Sequence, residues 1–198
     1  MGIFHHEKQL FINITDVSSF SDAHELYEIP IVAANVLNHI IPAKSLVWAV
    51  LRKNDSDKRL IYSLSATFLG RMCLSGEITD LNDGQKSIVK NAIKLYKSIT
   101  DIILNGKTTR EGTKILNYRY PEGYQALTRL NYKEDKGFAV VHKYSGDIKD
   151  IKIILPGSQF EIINTFKDPD TRITIKGKEI IISGLDNYSG CVIVFKTC

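Results

Sequence analysis

At 198 residues the chain can form one large domain or two small ones, and either can bury a real core. Hydrophobic residues at 43% and charged residues at 24% are the balance of a soluble globular protein. The net charge of +4 comes from 26 basic residues scattered among 22 acidic ones, with no basic run and no interleaved aromatics, which argues against nucleic acid as a partner.

Two rhythms divide the chain. Gln9 to Thr15 (QLFINIT) has the pattern of a strand, and Ala23 to His39 carries apolar residues at helical spacing, with Pro30 expected to break or kink it. Lys44 to Leu51 (KSLVWAVL) is a nearly continuous apolar run of strand length. Asp57 to Phe68 reads as a short helix and Gly70 to Leu74 (GRMCL) as another buried strand. Continuous rather than alternating apolar strands suit a parallel sheet covered on both faces. From Asp83 to Leu104, apolar residues at Ile88, Ala92, Ile93, Tyr96, Ile99 and Ile103 fall on one helical face. Asn82 is placed to cap that helix with Gln85 reaching back, and Gly106 to stop it. Alternating strands and helices are the grammar of β/α units, here too few to close a barrel of typically ~250 residues.

After Gly106 the rhythm changes. Lys107 to Gly112 (KTTREG) reads as a polar linker. Beyond it, short β-branched runs are expected as strands at Tyr124 to Tyr132, Gly137 to Tyr144, Asp150 to Leu155, Gln159 to Asn164, Arg172 to Lys176, Glu179 to Ser183 and Cys191 to Lys196. Turn signals between them include Pro156-Gly157 and Asp186-Asn187, the punctuation of an antiparallel sandwich.

The three cysteines, Cys73, Cys191 and Cys198, are odd in number and lack CxxC spacing, which argues against a disulfide framework or zinc site and suits a reducing compartment. Met1 to Leu10 has charged and His residues where a signal peptide needs an apolar core, and no apolar run approaches the length of a membrane span. The expected location is the cytoplasm, with no membrane partner. His5, His6 and His24 lack a second ligand cluster, so no metal is implied. The glycines form neither GxGxxG nor GxxxxGK, so nucleotide binding has no support.

One stretch carries a family resemblance. Arg59 to Gly106, RLIYSLSATFLGRMCLSGEITDLNDGQKSIVKNAIKLYKSITDIILNG, resembles the end of the catalytic barrel in glycoside hydrolase family 36 (clan D) α-galactosidases. There a small-residue helix runs into a last strand like FLGRMCLSG, then a helix and a β-sandwich. Ser21 to Arg52 resembles the segment joining the sixth and seventh barrel strands. The resemblance implies a C-terminal segment of a (β/α) barrel over residues 1–105, a linker at 106–112, and an antiparallel β-sandwich over 113–198.

It also implies chemistry. Retaining members use two aspartates, a nucleophile after strand four and an acid/base after strand six, with carboxyls about 5–5.5 Å apart. Asp22, in a Ser-Asp pair resembling the acid/base motif, is the first candidate for the general acid/base, and Asp16, placed at the end of the QLFINIT run, is its rival. Each has a structural reading: Asp22 as a helix cap with Glu25 three residues on, Asp16 as a turn former before Ser18 and Ser19. His24 and Glu25 could touch a sugar hydroxyl, although a first-turn Glu at a positive helix end is ordinary. Trp48 could stack on a sugar or sit in the core. Ser75 and Glu77, with Gly76, follow the last barrel strand, at the end where such barrels work. Cys73 reads as core, and Arg71 as either a barrel-mouth residue or an internally paired one.

With no segment expected before Met1, the nucleophile strand is missing and the chain alone is expected to be inactive. The family's chemistry needs only carboxyls, so no cofactor is implied, and an α-galactoside would be the ligand once the other barrel half is supplied. A half-barrel exposes strand edges, which implies self-association or a complementing upstream polypeptide. The competing reading is a non-catalytic remnant or an interaction module.

Overall fold

In the computed structural model, which describes residues 16–19, 27–155 and 159–197, three parallel strands stand side by side in chain order. They are β1 (Ser18–Ser19), β2 (Ser45–Leu51) and β3 (Arg71–Gly76), with Ser18 opposite Ser45 and Leu46 opposite Arg71. The expected strand at Gln9 to Thr15 and the helix start at Ala23 lie outside the described residues. Along β2 burial alternates: Ser45, Val47, Ala49 and Leu51 are buried, while Leu46, Trp48 and Val50 between them are half-buried.

Helices cover the buried face. In α1 (Glu28–Val36), Pro30 occupies the first turn, where its missing N–H interrupts no helical hydrogen bond, so it starts the helix instead of kinking it. α2 (Asp57–Ala66) opens on Ser56, whose hydroxyl accepts the Arg59 N–H. The helix expected to run to Leu104 divides at Ile99, where φ is −120° and ψ 13°, into α3 (Asp83–Ser98) and α4 (Thr100–Asn105). The reciprocal cap of Asn82 and Gln85 is present, with hydrogen bonds of 2.9 and 3.0 Å. No helix among the described residues is long and apolar enough to cross a membrane.

Lys107 to Gly112 is not a linker. It is strand β4 (Lys107–Gly112), antiparallel to β5 (Tyr124–Asn131). Its polar composition suits a sheet edge, where most side chains meet water on either face. The seven expected strands are all present, their ends shifted by at most two residues: β5, β6 (Lys136–Lys143), β7 (Asp150–Ile154), β8 (Phe160–Phe166), β9 (Arg172–Lys176), β10 (Glu179–Ser183) and β11 (Ser189–Thr197). Together with β4 they form a five-stranded sheet, β4-β5-β6-β11-β8, and a three-stranded sheet, β7-β10-β9.

The central strands of the five-stranded sheet, β5, β6 and β11, are buried on both faces. Leu127, Phe138, Val140, Val192 and Val194 share one core with Leu60, Leu64, Val89 and Leu95 of the helices and with Val47 and Leu51 of β2. From its other face, Ala139, Val141, Cys191, Ile193 and Phe195 pack on Ile151, Ile153, Ile180 and Ile182 of the smaller sheet. This explains why β6 and β11 read as continuous apolar runs rather than alternating ones. Each large side chain buried here contributes roughly 1.5–3 kcal/mol, so the two halves of the chain are joined by one core rather than by a tether.

His142 of β6 is fully buried, its Nε2–H donating to the Tyr62 carbonyl at 3.3 Å. Desolvation lowers its pKa from 6.5 to about 4. The folded pKa is depressed, so the folded chain binds fewer protons than the unfolded chain between these values. Stability from the neutral imidazole is therefore full above pH 6.5 and lost as pH falls toward about 4, by on the order of 3 kcal/mol. Urea midpoints measured through this window should fall more steeply for the parent than for His142→Asn. Parallel curves would refute the assignment.

Candidate active site

The parallel sheet has a second, open face. Residues opposite one another in register share a face, so Ser19, Leu46 and Arg71 lie together, followed by Trp48 with Cys73 and Val50 with Ser75. Trp48 is half-buried, and its Nε1–H donates to the Ser19 hydroxyl at 3.0 Å, which fixes the indole across β1 and β2. This indole is neither a fully buried core residue nor a free ring. Cys73 beside it is also half-buried rather than core, and desolvation pushes its thiol pKa up, the wrong direction for a nucleophile.

Catalytic groups on parallel β/α units gather at the C-terminal strand ends. Here those ends are Leu51 and Gly76, and the two loops leaving them are locked together. The Glu77 N–H donates to the Leu51 carbonyl at 2.7 Å, while the Glu77 carboxylate accepts the Lys53 N–H at 3.0 Å. Asp55 accepts the Arg52 N–H at 2.9 Å and pairs with Arg59 at 3.0 Å. Buried Gln85 reaches from α3 and donates to the carbonyls of Lys53 and Asp55 at 3.1 and 2.9 Å. Glu77, a sequence candidate for substrate contact, thus serves the neighbouring loop. Sequence reading missed Asp55 and saw Gln85 only as a helix cap, because their partners lie on other elements.

Ser75 points to the open face near the same rim, two positions beyond Cys73. Asp16 is exposed and precedes β1, so it sits at the N-terminal end of the parallel strands, opposite the rim. Arg71 begins β3 at that same far end, which places it away from the mouth. Asp22, His24 and Glu25 lie outside the described residues. Among the described residues no cluster of His, Cys, Asp and Glu is placed to hold a metal.

Neither a family model nor a curated protein matches the sequence. Solved structures do match the fold. The α-galactosidase from Lactobacillus brevis superposes with a TM-score of 0.64 at 13% identity, over 90% of this chain and 26% of that one. The family 36 α-galactosidase AgaA from Geobacillus stearothermophilus gives 0.65 at 12% identity, over 90% and 25%. The fold is that of part of a family 36 α-galactosidase. The chain spans about a quarter of the length of these enzymes. An α-amylase from H. orenii matches more loosely, with a TM-score of 0.52 at 12% identity over 100% of this chain and 52% of that one. Variants of the Geobacillus family 36 enzyme have been solved with raffinose and with stachyose.

Proposed function

We propose that the chain is the C-terminal portion of a retaining α-galactosidase-like hydrolase acting on α-galactosides, with β1, β2 and β3 as the sixth to eighth strands of its catalytic barrel. The observation that carries this reading is the parallel, chain-ordered sheet with helices on one face and a half-exposed face on the other, joined to a sandwich. Residues 1–105 then belong to the barrel and 107–198 to the sandwich, with β4 as the sandwich's first edge strand.

Asp22 is the general acid/base of this reading. In the sequence it follows β1 by three positions, whereas Asp16 precedes the strand. Of the described rim carboxylates, Asp55 and Glu77 are held by backbone amides and Arg59, and Asp80 accepts from the Thr79 hydroxyl at 3.3 Å. In the reaction a nucleophilic carboxylate attacks the anomeric carbon as the glycosidic C–O bond breaks, and Asp22 gives its proton to the departing oxygen. Asp22 then takes a proton from the water that releases the sugar. Trp48 and Ser75 would line the sugar site, with His24 and Glu25 beside the acid.

In this reading these 198 residues offer the acid/base, while the nucleophile follows the fourth barrel strand and so comes from another stretch of polypeptide. The 198-residue chain alone should not hydrolyse nitrophenyl α-galactoside. Co-expression with a polypeptide carrying the earlier barrel strands and their nucleophile should yield turnover. Hydrolysis by the isolated chain would refute this division of roles, and silence from every correctly folded mixture would favour a non-catalytic module.

A further inference from the structure

A cleft of about 440 Å³ lies on the helix-covered side, between α1, the edge strand β4 and the segment from Thr113 to Tyr118. It is separate from the open face of β1 to β3, because α1 packs Ile29, Ala33 and Ala34 into the core on the opposite side of that sheet. Its volume is in the range of small-molecule sites.

The charges around this cleft are one-sided. Along β4, successive side chains point to opposite faces of the sheet. Arg110 stands opposite Leu127, which joins the core shared with the helices, so Arg110 faces α1. Glu111 stands opposite Ala126, which belongs to the sandwich core, and its carboxylate takes a hydrogen bond from the Ile154 backbone. The acidic neighbour of Arg110 in sequence is therefore turned away from the cleft. Among the described residues, no ion pair joins Arg110 or Lys114 to a carboxylate.

Neutral groups brace the guanidinium instead. One of its nitrogens donates to the Asn35 side-chain carbonyl at 2.7 Å, and another donates to that of Gln125 at 2.9 Å. Gln125 is only 1% exposed and is anchored by its own bond to the Pro30 carbonyl at 3.0 Å. These bonds fix the guanidinium without neutralising it, and they use two of its five N–H donors. Lys114 adds a second cation to the wall, while Leu116 and Tyr118, exposed by 84% and 53%, give it an apolar lip. A braced, unneutralised guanidinium in a concave wall is complementary to an oxyanion. Its charge-assisted bonds are strong, and little side-chain freedom remains to be lost. The larger depression between α3 and β8, of about 650 Å³, lacks this imbalance, because Asp57 shares its wall with Lys94 and Lys167.

We infer that the cleft around Arg110 is a binding site for a small organic anion. The ligand's carboxylate or phosphate group sits on Arg110 and Lys114, and its apolar body lies against Leu116 and Tyr118. Such a site stands whether or not the strand ends serve a glycosidase.

The test is a titration of the isotopically labelled 198-residue chain with benzoate, phenyl phosphate and benzyl alcohol at constant ionic strength, followed by NMR. Benzoate or phenyl phosphate should move the side-chain signals of Asn35, Arg110 and Gln125 and the backbone amide of Lys114, with an affinity on the order of millimolar. The tighter of the two identifies the anionic group. Benzyl alcohol, which has the ring without the charge, should leave these signals in place. Arg110→Met should weaken anion binding about tenfold or more. Lys114→Gln, at an exposed position, should weaken it about threefold without changing the rest of the spectrum. No shifts at these residues up to about 50 mM anion, well above a millimolar Kd, would overturn the inference. An equal response to benzyl alcohol, or anion binding unchanged in both variants, would overturn it as well.

Discussion

Asp22→Asn, introduced into the enzyme reconstituted with its missing barrel strands, is expected to lower kcat on raffinose about 10²–10⁴-fold. The loss reflects a departing sugar oxygen that must be protonated as its bond breaks. A nitrophenolate needs no such help, so the first step on nitrophenyl α-galactoside should lose far less and the covalent intermediate should accumulate as a burst. This leaving-group contrast separates an acid/base from a carboxylate that only holds the loop in place. Asp16→Asn should leave both substrates unchanged, because Asp16 precedes β1 and lies at the other end of the sheet. Equal losses on the two substrates, or a large effect at Asp16, would sink the assignment.

Gly76→Val should cost about 4 kcal/mol or more, enough to consume most of the stability of a typical domain. Gly76 ends β3 with φ of +93°, a region that side-chain-bearing residues rarely enter. A Cβ at this position would also run into the Leu51 carbonyl oxygen, which accepts the Glu77 N–H. Strain and collision therefore fall on the same peptide, at the point where the β2 and β3 loops are locked. Gly177 offers the control. Its φ is +62°, but nothing lies within 4 Å of a built Cβ, so Gly177→Ala should cost only about 1 kcal/mol. Chemical denaturation of both variants would show whether the difference is present, and equal losses would mean that the Leu51 contact does not matter.

Sequence reading recovered the elements whose signals are local. The strands from β5 to β11 are bounded by turn residues, and the Asn82–Gln85 cap spans only three positions, so both are legible in the chain. It failed where neighbours decide. KTTREG is polar enough for a linker, and only its pairing with Tyr124 to Asn131 makes it a strand. Ile99 has the spacing of a continuing helix, yet the backbone breaks there. Pro30 was visible, but whether it kinks or begins a helix depends on where the first turn lies. The site was less legible for the same reason. Strand ends drew attention to Glu77, but its partner Lys53 is 24 residues away. Arg110 likewise bonds the side chains of Asn35 and Gln125, positions that no short motif could join.

The place of β11 in the five-stranded sheet has a consequence for how the chain is made. β11 is the last described strand in sequence, yet it lies between β6 and β8, and its Val192 and Val194 help close the core shared with the helices. A ribosome delivering this chain from its N-terminus therefore releases α2 and α3 long before the strand that completes their packing. The helices wait with apolar faces uncovered until residues Ser189–Thr197 emerge, and only then can both halves lock together. Such long-range closure is slow compared with local folding and leaves a nascent chain open to chaperones or aggregation. A chain that stops just short of β11 loses more than an end strand: the opening it leaves is in the middle of the sheet.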